Sequence, residues 1–596
     1  MTQPGPETDG ASLAEVAARL RGLGERLRAA PLPLDLLGVE ASRELRRTAV
    51  AQLDDYVVPR MAALHAPLLA VVGGSTGAGK STLVNSLVGE QVSPSSAIRP
   101  TTRRPVLVHH PDDAGWFDGD RILPELARVR AAAPATAPRP PADHASAGGE
   151  PVAELAVLAS ARMPRGLALI DAPDVDSVVV ANRRLAGQLL AAADLWLFVT
   201  TAARYADAVP WELLHEAAAR RVVVGIVLDR VPPGAAGEVR ADLADQLHTH
   251  GLARAPLFVV SERPVDERGL LPEPDVAPVR AWLHGLAADA PSRAAVARQT
   301  LLGAVEGVLR HSELVAAAAR EQTTAVQALH DAAVEAHAGA HAAVMAATED
   351  GTLLRGEVLA RWQEFVGTGE WFRGMEAAIG RVRDRVAGYF RGRPAPQARA
   401  EAALESSLVT LVVAEVEAAG ELTRRRWQTL PGGATVLAGM PDAAPAAQRP
   451  ELAAAVSSLV REWQHALLAR VRAEGEDRRT KARMLSLGVN ASGITLMLVV
   501  FAFSGGLTGL EVGVAGGTAV VGQKVLEMVF GDQAVRDLAR HAREDLAARA
   551  TALLDERRRP WLDRLAELDV DEADDAQLEL AVADVRTVLD AAGMAR

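Results

Sequence analysis

Apolar residues along this 596-residue chain change their spacing several times, and the changes mark out its parts. Over residues 11–65 they recur every three or four positions, as at Leu13, Val16, Leu20, Leu23 and Leu27, the spacing of amphipathic helices. From about 67 to 290 they gather into short continuous runs at 67–73 (PLLAVVG), 106–109, 167–170, 195–200, 222–228 and 257–260. Runs without alternation suit strands buried on both faces. Helix-like stretches at 182–193, 211–220 and 238–250 separate several of them. Strands alternating with helices imply an α/β fold with a doubly wound, mostly parallel sheet. Residues 131–150 (AAAPATAPRPPADHASAGGE) break the pattern and read as a flexible Pro/Ala-rich insertion.

From 291 to 483 the spacing is helical almost throughout, as expected of an all-α bundle or stalk, with a Pro/Gly/Ala linker near 430–450. Residues 484–523 then form a forty-residue stretch whose one charge is Glu511. That length holds two spans of about twenty residues, the minimum for two bilayer crossings. The first half carries the run Leu496-Met-Leu-Val-Val-Phe; the second is glycine-rich, with Gly505, Gly506, Gly509, Gly513, Gly516 and Gly517. Arg478, Arg479, Lys481 and Arg483 precede the stretch, and Lys524, Arg536, Arg540 and Arg543 follow it. Basic flanks on both sides predict an apolar helical hairpin with both ends in the cytoplasm, and small residues suit close packing in lipid. A partly inserted paddle and a hairpin buried in a soluble core are the alternatives. The expected organisation is thus N-terminal helices packing on the stalk (1–65), an α/β domain (66–290), the stalk (291–483), the hairpin or paddle (484–524) and helices returning to the bundle (525–596).

Composition sharpens this. The apolar content, 49% of residues with 4% aromatic, comes mainly from Ala, Leu and Val, which favours long helices. A net charge of -12 argues against a nucleic-acid partner. There is no cysteine, so disulfides and thiolate metal sites are excluded, as befits a reducing cytoplasm. Residues 1–10 are polar and lack the apolar run of a secretion signal. Lysine is confined to Lys80, Lys481 and Lys524, nearly all positive charge being arginine. A lysine kept against that drift marks a place that needs a compact ammonium rather than a planar guanidinium.

That place is a motif. Gly74-Ser75-Thr76-Gly77-Ala78-Gly79-Lys80-Ser81 fits G-x-x-x-x-G-K-[ST], after an apolar strand and ahead of the helical run 81–88, which begins with Ser81 and Thr82. Glycines let backbone N–H groups turn inward around phosphates, Lys80 neutralises β/γ oxygens, and the Ser81 hydroxyl can ligate Mg²⁺. Thr102, in Pro-Thr-Thr-Arg-Arg-Pro (100–105) ahead of the next strand, stands where a switch threonine meets Mg²⁺ and the γ-phosphate. Asp171 ends the strand 167–170 in Asp-Ala-Pro-Asp, placed to hold the metal directly or through water.

Thr102-Arg103-Arg104-Pro105 before an apolar strand resembles the switch I region of the dynamin superfamily, and Asp171-Ala172-Pro173 resembles the D-x-P-G motif of the same GTPases. The motif-level likeness covers about 67–265; beyond it the layout of helices and a late apolar segment resembles bacterial dynamin-like proteins. The resemblance implies GTP and Mg²⁺ as ligands, GTP hydrolysis, self-association through the nucleotide domain, and membrane lipid as partner. It also implies a place on the cytoplasmic face of the cell membrane and leaves room for hetero-assembly with a related chain.

The sequence departs from the family in three places. Asp174 replaces the D-x-P-G glycine; its N–H remains, but its carboxylate must point away from phosphate. Thr76 and Gly77 stand where eukaryotic dynamins use Gln-Ser to organise the attacking water, so Thr76 is the remaining candidate and slow turnover is implied. The base motif [NT]-K-x-D is replaced by Asp229-Arg230-Val231-Pro232. Either Asp229 takes the Asn/Thr position with Arg230 stacking on the base, or a shifted register makes Asp229 the base-reading carboxylate; Ser261, after the next strand, is placed near the base. Two other readings stand beside the GTPase: a membrane-anchored nucleotide-binding scaffold, and a transporter-type ATPase, which lacks its LSGGQ and hydrophobic-Asp-Glu signatures here. His330, His337 and His341 share helical spacing but no convincing third ligand, and are expected on solvated helix surface.

Overall fold

The long apolar runs become the strands of one eight-stranded sheet: β1 (Leu68–Gly74), β2 (Val106–His109), β3 (Ala127–Arg130), β4 (Glu154–Ala159), β5 (Leu167–Asp171), β6 (Leu195–Thr201), β7 (Val223–Val231) and β8 (Leu257–Ser261). Their order is β3-β4-β2-β5-β1-β6-β7-β8, parallel throughout except where β2 runs against β5. This computed structural model describes residues 6–94, 104–119, 122–123, 125–130, 154–174, 180–206, 208–232, 234–349, 353, 357–367, 396–440, 445–475, 491–503, 518–571 and 573–594. Thr102, the insertion 131–150 and much of 484–523 lie outside those residues.

β3 and β4 are additions to the expected strands. β3 is a four-residue exposed edge strand and carries no continuous apolar run to betray it; β4 is an inner strand whose run Leu155–Leu158 is buried.

The chain divides into two compact units: residues 1–32, 38–320 and 571–596 form one, residues 33–37 and 321–570 the other. In the first, side chains of β1 alternate between two cores, Leu68, Ala70 and Val72 on one face, Leu69 and Val71 on the other. Helices α1 (Pro6–Ala29) and α2 (Val39–Gln52) share the first core with the sheet and with the C-terminal helix Asp574–Ala591. The stripe Val16, Leu20, Leu23 and Leu27 finds its apolar counterpart in Leu578, Val582, Val585 and Leu589. These helices thus belong to the unit that holds the sheet, where the stalk had been expected.

A buried polar knot lies under β1. Asp194, just ahead of β6, accepts the Leu69 N–H at 2.8 Å and the Tyr56 hydroxyl at 3.1 Å, and faces Arg60 Nε at 2.9 Å. The Thr300 hydroxyl bonds the Asp194 carbonyl at 2.8 Å. One residue therefore ties the strand that leads into the phosphate loop to N-terminal and central helices.

Nearby, burial beside Glu125 and Asp54 pushes the Asp55 carboxyl up to about 6, opposed by a hydrogen bond from Gln188. A carboxyl raised above its unfolded value stabilises the fold when protonated, and that contribution fades as pH rises through about 6. Asp55→Asn should therefore raise the melting temperature at pH 7.5, by roughly 1–2 kcal/mol of stability, and the gain should shrink towards pH 4. Melting curves across that range check it; a gain that grows on acidification contradicts it.

The second unit is helical. The helices Pro396–Thr429, Pro445–Glu474 and Asp532–Ala566 enclose a core in which Trp463 stacks on Phe503 (centroids 5.7 Å apart) and donates its indole N–H to the Ala542 carbonyl at 2.9 Å. The apolar stretch contributes two described helices, Ala491–Phe503 and Thr518–Phe530, each of 13 residues. Among the described residues no helix is long and apolar enough to cross a membrane. The expected pair of transmembrane spans is corrected to that extent: Ile494, Leu498, Val499 and Phe503 are buried against protein. His337 is corrected too. It is buried, bonding the Ala333 carbonyl through Nδ1 at 2.8 Å, and burial lowers its pKa.

Candidate functional site

β1 ends in Gly74, whose φ of 149° only glycine adopts easily; a Cβ there would lie 1.9 Å from the Val199 carbonyl oxygen. The loop then turns through Gly77 (φ 75°) and Gly79 (φ 88°) into α4 (Lys80–Val88). Gly79 caps α4 without a side chain, so no side-chain cap takes the first N–H groups of the helix, which suit an anion. Ser75 and Ala78 are fully buried, Thr76 and Thr82 half-buried, and Gly77 exposed.

Lys80 is 6% exposed, a charge that could not be held there without partners. Its ammonium donates to the Gly74 carbonyl at 3.0 Å, the Ser75 carbonyl at 2.9 Å, and the Asp174 carboxylate. Beside it the Ser81 hydroxyl donates to Asp171 Oδ2 at 2.6 Å, and the Ser93 hydroxyl reaches the same oxygen. Asp171 is fully buried; burial pushes its pKa up, and the two serines oppose that. Its Oδ1, like the Ser75 hydroxyl, is a buried polar atom with no hydrogen-bond partner among the described residues. An orphaned carboxylate oxygen beside a serine hydroxyl is the donor set that suits a hard divalent cation such as Mg²⁺. The residues present fit the metal that the motif implies.

Ser93 is a site residue that motif reading misses. It is fixed by Asn85 of α4, whose Oδ1 accepts the N–H groups of Val92 and Ser93 at 2.8 Å each and whose Nδ2 donates to the Ser93 carbonyl at 2.8 Å. The sequence carries no signal for Ser93, because its contact with Asp171 joins residues 78 positions apart. Arg204, past the end of β6, is another: its guanidinium lies 3.4 Å from the Thr76 carbonyl.

At the far end of β7 the ladder with β8 slips between Leu228 and Val231, and Arg230 adopts φ 55°. This bulge carries the base-motif candidates. Asp229 is 5% exposed, burial pushing its carboxyl up to about 6, and its Oδ1 accepts the Arg230 N–H at 2.8 Å. Arg230 is exposed, and Ser261, half-buried, pairs with Val231 at the end of β8. Asp229 also leans on the phosphate loop: a Cβ on Gly79 would meet its Oδ2 at 2.2 Å. Gly79→Ala should therefore displace both loop and carboxylate and weaken nucleotide binding about tenfold or more. Titration with a fluorescent guanine nucleotide checks this; a Gly79→Ala protein binding like the parent contradicts it.

Residues 69–224 match the model of the dynamin family. The match takes in the phosphate loop, residues 100–105 and Asp171, and ends short of Asp229 and Ser261. Over this domain the chain is similar to dynamin-type GTPases. No curated protein matches the chain. Among solved structures, one described as an oligomerised bacterial dynamin pair that senses and tethers membranes over long range shares 11% identity, covering 92% of this chain and 95% of its own, with a TM-score of 0.42. A second structure of that description shares 10%, over 97% and 95%, at 0.40. LeoA, a bacterial dynamin GTPase from ETEC, shares 11%, over 98% of each chain, at 0.23. These are distant likenesses; the family match is the stronger finding.

Proposed function

We propose that this chain binds and hydrolyses GTP, and that the nucleotide controls self-association of its α/β domain while the protein attaches to membrane lipid. The observation that carries the nucleotide half is the convergence at the head of α4: Lys80 buried in the loop, and Ser81 on an Asp171 carboxylate whose other oxygen has no partner among the described residues. Backbone N–H groups of Gly77 to Ser81 receive the phosphates, Lys80 neutralises them, and Ser81, Asp171 and Thr102 hold Mg²⁺. Mg²⁺ held by Ser81, Asp171 and Thr102 would supply positive charge to offset the negative charge that develops on the phosphates. Thr76 is the loop's candidate for orienting water. Asp229 braces the loop from below, which favours the register in which it takes the Asn/Thr position and Arg230 covers the base; Ser261 lies beside them.

The membrane half rests on the sequence pattern, forty residues with one charge between basic flanks. Attachment at the cytoplasmic face, and assembly with a related chain, belong to the same reading. The test is a GTP turnover assay with and without anionic vesicles, followed by flotation of the same sample. Turnover that depends on Mg²⁺, and protein that floats with the vesicles, is the expected outcome. Protein that hydrolyses GTP but stays at the bottom of the gradient removes the membrane half; protein that floats without hydrolysing favours the scaffold.

A further inference from the structure

An ammonium has three N–H groups, and among the described residues Lys80 meets three acceptors. Two are backbone carbonyls of the loop itself, Gly74 and Ser75, and belong to its fold. The third is the Asp174 side chain, which lies 30% exposed while Lys80 is 6% exposed. The loop partners are fixed; the aspartate can turn away. We propose that Asp174 is an internal competitor for the phosphate site, its carboxylate holding the donor of Lys80 that the terminal phosphate of a nucleoside triphosphate must take.

The consequence is selective. A triphosphate brings its outermost negative charges to the place where Lys80 meets Asp174, so the carboxylate must leave the ammonium and stand beside a like charge. A diphosphate leaves that outer part of the cradle to Asp174. The aspartate also offsets some of the positive field that Lys80 and the amino end of α4 direct at an anion. Displacing it couples the arrival of the third phosphate to movement of residue 174, three positions past Asp171, where the family sequence carries a glycine that has no side chain to displace. The proposal rests on the GTP reading above, and it explains a departure that the reading alone leaves idle.

The test compares the full-length parent with Asp174→Asn and Asp174→Gly, all checked by melting temperature. Affinity is measured in Mg²⁺ buffer for a fluorescent non-hydrolysable GTP analogue and for the matching fluorescent GDP. Removing the charge should tighten the triphosphate about tenfold, which is ~1.4 kcal/mol, and change the diphosphate by less than about threefold. Raising the ionic strength should shrink the difference between parent and variants. Equal tightening of both nucleotides, no change in either, or weaker triphosphate binding overturns the competitor role while leaving GTP binding intact. If neither parent nor variants bind any guanine nucleotide, this proposal and the functional reading fall together. Asp174→Gly, which introduces no new polar group, guards against an asparagine that rebuilds the contact with Lys80.

Discussion

Lys80→Ala is expected to lower GTP affinity and turnover about a hundredfold or more, the scale seen when a single preorganised donor to developing phosphate or oxyanion charge is removed. The reason lies in the burial of that ammonium and its aim. It is the one formal charge set inside the loop at the head of α4, on the side where Ser81 and Asp171 converge. The effect should be confined to function. Removing Lys80 frees two loop carbonyls and a half-exposed carboxylate, so the melting temperature should move by only a few degrees. Lys80→Arg should fail as well, because a planar guanidinium cannot take the place of a point charge between two carbonyls 2.9–3.0 Å away. The scarcity of lysine elsewhere in the chain agrees with that expectation. Phosphate release measured at saturating GTP, alongside melting curves, separates the two effects; an arginine variant with near-parent turnover contradicts this account of the loop.

Asp194→Ala should be the most damaging single change to the fold. Truncation leaves the Arg60 guanidinium buried without its carboxylate, and strips the Leu69 N–H and the Tyr56 hydroxyl of their acceptor. Breaking a buried pair on one side costs about 3–5 kcal/mol, a large share of the stability of any domain. Replacing both members with apolar residues, Arg60→Met with Asp194→Leu, should cost less than either single truncation, because no uncompensated charge remains. Denaturant unfolding of the three variants is the check. A single truncation that costs under about 1 kcal/mol would mean the knot is solvated and does not anchor β1.

How much of this could be read from residues alone depended on whether the signal was local. The phosphate loop needed only its own eight residues, and β1, β2, β5, β6, β7 and β8 announced themselves as apolar runs because both faces of the sheet are covered. β3 did not, since an exposed edge strand of four residues carries too few apolar positions to stand out; β4 carries the short apolar run Leu155-Ala156-Val157-Leu158, which follows closely on the Pro/Ala-rich insertion and is not among the runs read as strands. The assignment of α1 to a stalk followed from its amphipathic stripe, which states that a helix is covered but not by what; the answer, Leu578 to Leu589, lies at the other end of the chain. His337 was expected at the surface because no third ligand stood near it in sequence; instead it is buried, bonding the Ala333 carbonyl one turn back. Ser93 and the contact between Lys80 and Asp174 join residues far apart in sequence, 78 and 94 positions, and no spacing rule reaches them. The apolar segment marks a general ambiguity: a helix apolar on every side is equally suited to lipid and to a protein core, and Ala491–Phe503 is covered by protein here.

The central claim is that a triphosphate and its metal sit at the amino end of α4. Titration calorimetry of the folded full-length protein with a non-hydrolysable GTP analogue in Mg²⁺ tests it most directly, with the matching ATP analogue and Lys80→Ala as comparisons. Saturable heat with the guanine analogue, weaker heat with the adenine one, and none with Lys80→Ala is the predicted result. Absence of heat for every guanine and adenine nucleotide would contradict it.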